Sequence, residues 1–321
     1  METLLWLYIY FVIFVVGLCV GSFMNVQIYR LPRGIGTVKG RSFCPDCGHT
    51  LHARDLVPLF SYIFLGGRCR YCRAPISPRY AAVELLNALL WVAYAYKFML
   101  HPLTMVAHFV FGSSLLCIIF IDAAHMLIFD RFNVAIALSG VMIAVDKFLC
   151  GNAGHHHHHH HLFPQDVTIV DRLIGALCVS GLFLLIAIVS RGKWMGGGDI
   201  KLTAAAGLVL GWKNMLGVLF IASVAGTIGS LIIMGAQNAR AARSPVSQSR
   251  AETAAGHPPG DKLDQAAANN PGHDAAADTG GEDGEPAGHV VPFGPYLAGA
   301  MILMSFFGTE IIDFYLKLCG F

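Results

Sequence analysis

Five stretches of this chain contain no aspartate, glutamate, lysine or arginine: residues 3–29, 98–121, 173–190, 214–238 and 286–309. A helix needs about 20 apolar residues to cross a hydrocarbon core about 30 Å thick, and each run is that long or nearly so. Few architectures are open to such a chain, because in lipid the backbone must satisfy its own hydrogen bonds, and helices do so within each segment. Charged residues are 13% of the 321 positions, hydrophobic residues 55%, and mean hydropathy is +0.59. Soluble domains carry about 25% charge, so this chain cannot cover a water-facing surface. A soluble globular enzyme and a disordered protein are both excluded, and a net charge of +2 gives nucleic acid no footing as a partner. Three weaker segments complete the pattern: 80–100 with Glu84 and Lys97, 131–150 with Asp146 and Lys147, and 200–212 between Lys201 and Lys213. The expectation is an all-α polytopic membrane protein of about eight transmembrane helices.

Orientation follows from the first loop. Residues 30–79 carry Arg30, Arg33, Lys39, Arg41, Arg54, Arg68, Arg70, Arg73 and Arg79 against Asp46 and Asp55. Basic loops beside a span stay in the cytoplasm. Alternation through eight spans then puts Arg131, Arg191, Lys193, Arg240 and Arg243 inside as well. Residues 1–29 lack a basic start and are too long an apolar run for a signal peptide, so they form a retained anchor. The organisation is a first helix (1–29), a cytoplasmic loop domain (30–79), a helical core (80–235), a linker (236–291) and a last helix (292–321). The linker is rich in Ala, Gly, Pro, Asn and Asp and buries too little apolar area to fold. The run His155–His161 is either a tag or a metal-sequestering tract and stays outside the mechanism.

Cys44-Pro45-Asp46-Cys47 and Cys69-Arg70-Tyr71-Cys72 are separated by 21 residues. Two CxxC turns at this distance match a ribbon-type zinc site, in which each turn offers two sulfurs and two turns complete a tetrahedron. In the cytoplasm thiols stay reduced, so a structural zinc held by Cys44, Cys47, Cys69 and Cys72 is expected, with a redox pair as the rival. His49 and His52 are then surface residues, while Cys19, Cys117, Cys178 and Cys319 read as core packing.

Ionisable residues at spans call for an explanation. Asp122 follows the apolar run Ser113–Ile121, and Asp199 closes Gly196-Gly197-Gly198-Asp199. With alternating spans both reach the cytoplasmic face. Two close carboxyls do not both ionise readily, so one keeps a proton. The ionised member can then activate water while the protonated one donates to a carbonyl oxygen. Glycines before Asp199 let another backbone approach. Against this, Asp is also a common helix N-cap, and Asp130, eight residues beyond Asp122, is a rival that periodicity does not separate. Glu84 either faces the bundle interior or serves as a structural hydrogen-bonded group. An ion or proton relay in a transporter, or a non-enzymatic assembly protein of a secretion machine, are the competing functions.

At this point the motifs resemble, in order, those of bacterial type IV prepilin peptidases, the GxGD aspartic membrane proteases. They are Gly21-Ser22-Phe23-Met24-Asn25-Val26 with Ile28-Tyr29-Arg30-Leu31-Pro32, the paired CxxC loop, Ser77-Pro78-Arg79-Tyr80 with Val83-Glu84-Leu85, Ile121-Asp122, Gly196 to Leu202, and Pro292-Phe293-Gly294-Pro295-Tyr296. The family often has Pro-Asp where this chain has Phe129-Asp130. The resemblance implies a bifunctional enzyme of the bacterial inner membrane, serving type IV pilus or type II secretion assembly. It would cut prepilins or pseudopilins after a glycine at the cytoplasmic face, with Asp122 and Asp199 as the catalytic pair. It would then methylate the new N-terminus with S-adenosylmethionine. Its partners would be those protein substrates and membrane lipid, with no nucleic acid. No glycine-rich nucleotide fingerprint locates the methyl-donor site. The first loop is the candidate region, and Asn25 and Arg30 at its membrane junction carry no assigned role.

Overall fold

The computed structural model describes residues 2–37, 40–152, 167–242 and 292–318. Eight α-helices account for most of them: α1 (Glu2–Arg30), α2 (Phe60–Phe64), α3 (Arg79–Phe98), α4 (Pro102–His125), α5 (Asp130–Asn152), α6 (Ile169–Val189), α7 (Gly197–Ala242) and α8 (Gly294–Leu318). Among the described residues there is no strand beyond two isolated bridges, Phe43 with Thr50 and Arg68 with Pro75. Six helices among the described residues are long and apolar enough to cross a membrane: α1, α4, α5, α6, α7 and α8. Helix α3 has the length, at 20 residues, but carries Arg79, Glu84 and Lys97.

Helix α7 has 46 residues, about 69 Å at 1.5 Å per residue, which is twice a hydrocarbon core. Its helical geometry breaks at Gly211, where φ is 76°, a conformation that glycine adopts without penalty. The neighbours on either side show that the chain reverses there. Gly198 packs on Ile128, near the end of α4 that carries Asp122, and Gly211 lies beside Val167 at the start of α6. Beyond the break, Gly217 meets Met304, and Gly226 is back beside Phe293 and Tyr296. Residues 197–210 and 214–226 are thus antiparallel, one on each side of the break. Arg172 holds the break together by donating to the carbonyls of Leu208 (2.6 Å) and Val209 (3.0 Å), which are among those left unsatisfied where the first half stops. From Thr227 onward the chain forms a second unit, Thr227–Val291, whose described residues continue the helix to Ala242. The rest of the expected linker and the run His155–His161 lie outside the described residues.

The boundaries of the other helices have local causes. Thr168 caps α6 by accepting from the Asp171 N–H, while the Asp171 carboxylate accepts from Thr168, a reciprocal cap. Pro102 occupies the first turn of α4, where its missing N–H costs nothing. Helix α4 stops at Met126, which takes φ 54° and donates its N–H to the Asp122 carbonyl at 2.9 Å.

Helices α1 and α3 run antiparallel in close contact through Gly17 and Gly21. A Cβ at Gly17 would sit 2.8 Å from the Ala88 Cα, and one at Gly21 2.7 Å from the Glu84 Cα. This is the small-xxx-small contact of membrane helices, and Asn87 adds a 2.8 Å bond to the Gly17 carbonyl. One core cluster runs through the bundle from Ile28 and Val83 through Ile121 and Leu202 to Leu297 and Met301. Large apolar side chains such as Leu4, Phe11, Leu177, Val189 and Phe220 point outward, as lipid-facing surfaces do. The cysteines divide accordingly. Cys117 is buried in the core, but Cys19 and Cys178 lie on outer surfaces, because a lipid-facing position is as apolar as a core one.

Candidate active site and metal centre

The loop between α1 and α3 is built from two matching turns. In the first, the Cys44 N–H bonds the His49 carbonyl (3.0 Å) and the Gly48 N–H returns to the Cys44 carbonyl (2.9 Å). In the second, the Cys69 N–H bonds the Ala74 carbonyl (2.8 Å) and the Arg73 N–H returns to the Cys69 carbonyl (3.0 Å). Gly48 and Arg73 occupy equivalent positions, and both take positive φ, 69° and 61°. Each turn therefore folds its CxxC into a knuckle, and the two knuckles face one another. The sulfurs of Cys44, Cys47, Cys69 and Cys72 all lie within 4.8 Å of each other, with Cys44 and Cys72 at 3.9 Å. A tetrahedral zinc with bonds of about 2.3 Å sets its sulfurs about 3.8 Å apart, so this cluster could hold zinc.

The surroundings favour a first negative charge on Cys69. Backbone N–H groups of Cys72 and Tyr71 bring the Cys69 thiol down to about 7. Burial pushes Cys44 up. Cys72 receives help from the Ala74 backbone but is pushed up to about 12 by burial and by the neighbouring thiols. Asp55 braces the second knuckle, accepting from Arg70 at 2.6 Å and from the Tyr71 hydroxyl at 3.0 Å. Burial opposes its ionisation, but the bonds from Arg70, His52 and Tyr71 outweigh it and hold its carboxyl below the usual range. His49 stacks on Tyr71 at 3.7 Å, and His52 caps the short turn ending at Asp55. Both are surface residues, as expected.

The aspartates are gathered differently. Asp122 sits in the last turn of α4, 6% exposed. The start of α8 comes directly against it. The Gly294 N–H donates to its carboxylate, and a Cβ at Gly294 would stand 2.9 Å from its carboxyl carbon, so any side chain there would displace the Asp122 carboxyl. Asp199 is the third residue of α7, in a first turn tightened by its own N–H bonding the Gly196 carbonyl at 3.2 Å. Gly198 packs against Ile128 in the segment joining α4 to α5, with a Cβ 2.9 Å from that of Ile128. This contact draws the start of α7 to the end of α4, near enough for the Asp122 charge to act on Asp199. Asp199 Oδ1 is buried with no hydrogen-bond partner in the protein. Asp130 is placed quite otherwise, opening α5 and pairing with Lys201 at 2.8 Å, with both side chains more than half exposed.

Glu84 is 8% exposed on α3 and accepts from the Leu59 N–H at 2.7 Å, where Leu59 has φ 60°. It fastens the knuckle loop to α3, the structural role. Two features carry more weight than the sequence reading gave them. Gly294 was visible within Pro292-Phe293-Gly294-Pro295 but without a role. Gly17 and Gly21 form a G-xxx-G pattern that could have announced the α1–α3 contact.

Comparison with known proteins places this geometry in context. Residues 15–98 match a family model described as the bacterial peptidase A24 N-terminal domain, and residues 109–231 match one described as the type IV leader peptidase family. The chain is similar to a prepilin leader peptidase/N-methyltransferase of Myxococcus xanthus, with 32% identity covering 92% of this chain and 89% of that one. A protein of the same description from Aeromonas hydrophila is 33% identical over 69% of this chain and 79% of its own. Another, from Pseudomonas aeruginosa, is 28% identical over 95% and 92%. No solved structure matches the chain.

Proposed function

Because the chain belongs to the type IV leader peptidase family, we propose that it removes the leader from prepilins or pseudopilins and methylates the new N-terminus. Cleavage falls after a glycine, at the cytoplasmic face of the bacterial inner membrane. The observation that carries the cleavage step is the meeting of Asp122 and Asp199 at one end of the bundle, one braced by Gly294 and the other with a carboxyl oxygen unpartnered in the protein. The ionised member of the pair takes a proton from water, whose oxygen attacks the scissile carbonyl, and the protonated member donates to the carbonyl oxygen.

The four cysteines suit a structural zinc. When bound, the ion supplies a cross-link between the knuckles and no chemistry, since four sulfurs leave no open position. The methyl donor is S-adenosylmethionine, a reading supported by the two-part description the relatives carry. Nine basic residues in the 30–79 loop support the cytoplasmic placement.

Intact-mass analysis of a purified prepilin incubated with the protein, with and without S-adenosylmethionine, tests both activities. Loss of the leader in both arms, with one added methyl group only when the donor is present, is the expected result. An unchanged substrate mass from folded protein would turn the carboxylate pair over to the transporter reading.

A further inference from the structure

We propose that a cavity of about 450 Å³ between the cysteine knuckles and the adjoining ends of α1 and α3 seats the methyl donor, an inference that rests on the methyltransferase reading above. The volume is that of a small-molecule site, which commonly spans about 300–1,000 Å³. Two of its lining residues hold buried polar atoms that find no partner in the protein: the Oδ1 of Asn25, a residue only 4% exposed, and the Nε of Arg79. Asn25 is fixed by its other amide atom, which donates to the Tyr80 carbonyl at 2.9 Å, so the free oxygen is held in place. Folded chains rarely bury polar atoms unpaired, and this acceptor and this cationic donor line one cavity.

The chemistry of the lining selects among occupants. Arg79 suits a carboxylate, and the Asn25 oxygen suits an ammonium or an exocyclic amine. Tyr29 and Tyr80 offer aromatic surface for a nucleobase. Most charges on the lining are already engaged: Asp55 by Arg70 and Tyr71, Glu84 by the Leu59 N–H, Arg30 by the Gly36 and Arg41 carbonyls, and Arg33 by the Tyr29 carbonyl, which leaves the Arg79 Nε for a ligand. S-adenosylmethionine brings a carboxylate for Arg79, an amine for the Asn25 oxygen and an adenine for the tyrosines, and Asp46 on the same lining can offset its sulfonium.

Position agrees as well. Ile28, Leu31 and Val83 beside the cavity belong to the same packed cluster as Ile121, the neighbour of Asp122. Helix α3 begins at the cavity and α4 runs back beside it, with Ser113 bonding Asn87 and Gly112 packing on Tyr94, to end past Asp122, so the cavity and the aspartate pair lie toward the same end of the bundle. In the transfer, the neutral amine's lone pair forms a bond to the methyl carbon. The carbon–sulfur bond breaks with its electron pair going to sulfur, leaving the neutral thioether S-adenosylhomocysteine, and the extra proton on the amine passes to water.

The test is equilibrium binding of S-adenosylhomocysteine to the full-length, zinc-loaded protein by calorimetry, comparing the wild type with Asn25→Leu and Arg79→Gln. Each substitution should weaken binding about tenfold or more, the worth of one hydrogen bond to a charged or buried group. Unchanged zinc content and melting temperature establish that the variants fold. Should either fail to fold, photo-crosslinking of labelled S-adenosylmethionine to the wild type decides: the adduct is expected on peptides spanning 22–33 or 77–84, and an adduct elsewhere overturns the proposal. Unaltered affinity in both folded variants also overturns it, as does a raised KM for leader removal with donor binding intact, which would give the cavity to the leader. A wild type that binds no donor and adds no methyl group while still removing leaders would instead sink the methyltransferase reading itself.

Discussion

The cysteine cluster and the aspartate pair lie toward the same end of the molecule but are held by opposite means. All four cysteines come from one loop, and each pair is set by hydrogen bonds spanning a few residues, such as Cys44 to His49 and Cys69 to Ala74. The aspartates come from α4 and α7 and are brought together by packing between distant segments, Gly198 against Ile128 and Gly294 against Asp122. A site of the first kind is a local fold that a metal can complete. A site of the second kind depends on how whole helices are spaced, and small changes of volume at their contacts should disturb it most.

The largest effect belongs to the carboxyls themselves. Asp122→Asn or Asp199→Asn should lower leader removal by about a thousandfold or more, within the range that positioned acid–base groups supply, while zinc content stays at one ion per chain. Asp130→Asn is the control, because an exposed ion pair contributes little, and its rate should remain near that of the wild type. If Asp130→Asn were inactive and Asp122→Asn active in the intact-mass assay, the pair would have been wrongly drawn.

Spacing comes next. Gly294→Ala puts a methyl group against the Asp122 carboxyl and should cost about a hundredfold in kcat/KM, since displacements of about 1 Å in a catalytic group do so. Donor binding and zinc retention should be untouched. A rate within twofold of the wild type would show that α8 does not set the position of Asp122.

Removing the metal reverses the pattern. The knuckles form one wall of the cavity, with Cys44 and Cys69 among its lining residues. Chelation, or Cys44→Ser, should therefore weaken S-adenosylhomocysteine binding by about tenfold or more, with leader removal reduced far less. Equal loss of both activities would mean that the knuckles also support the aspartate end of the bundle.

This contrast explains what the sequence made legible. The gathering of the four cysteines could be read outright because all four lie within one short stretch at a telling spacing, and the apolar runs located the long helices for the same local reason. The reversal near Gly211 was also legible, because Lys213 separates the runs 200–212 and 214–238, although nothing local marked the glycine as the residue that makes it. Asp122 and Asp130 could not be separated, because both flank the α4–α5 junction. Only the packing leaves one under Gly294 and the other out with Lys201. The part of Gly294 and the unpaired atoms of Asn25 and Arg79 depend on contacts between segments far apart in the chain, which no local pattern encodes.

The smallest expected effect tests how local the knuckle fold is. The Asp55 carboxyl is held below its ordinary value by Arg70, His52 and Tyr71 against the opposing effect of burial. A depressed folded value means that its contribution to stability is complete above the unfolded carboxylate value of about 3.9 and fades as pH falls through the folded value beneath it. Melting curves of wild type and Asp55→Asn should thus differ by a constant few degrees from pH 7 down to about pH 4, and the gap should close below that. Metal loss at low pH affects both proteins, so the difference isolates Asp55. A gap that widened on acidification would mean that Asp55 is not the ionised brace of the second knuckle, and that the loop takes its order from the bundle rather than from its own turns.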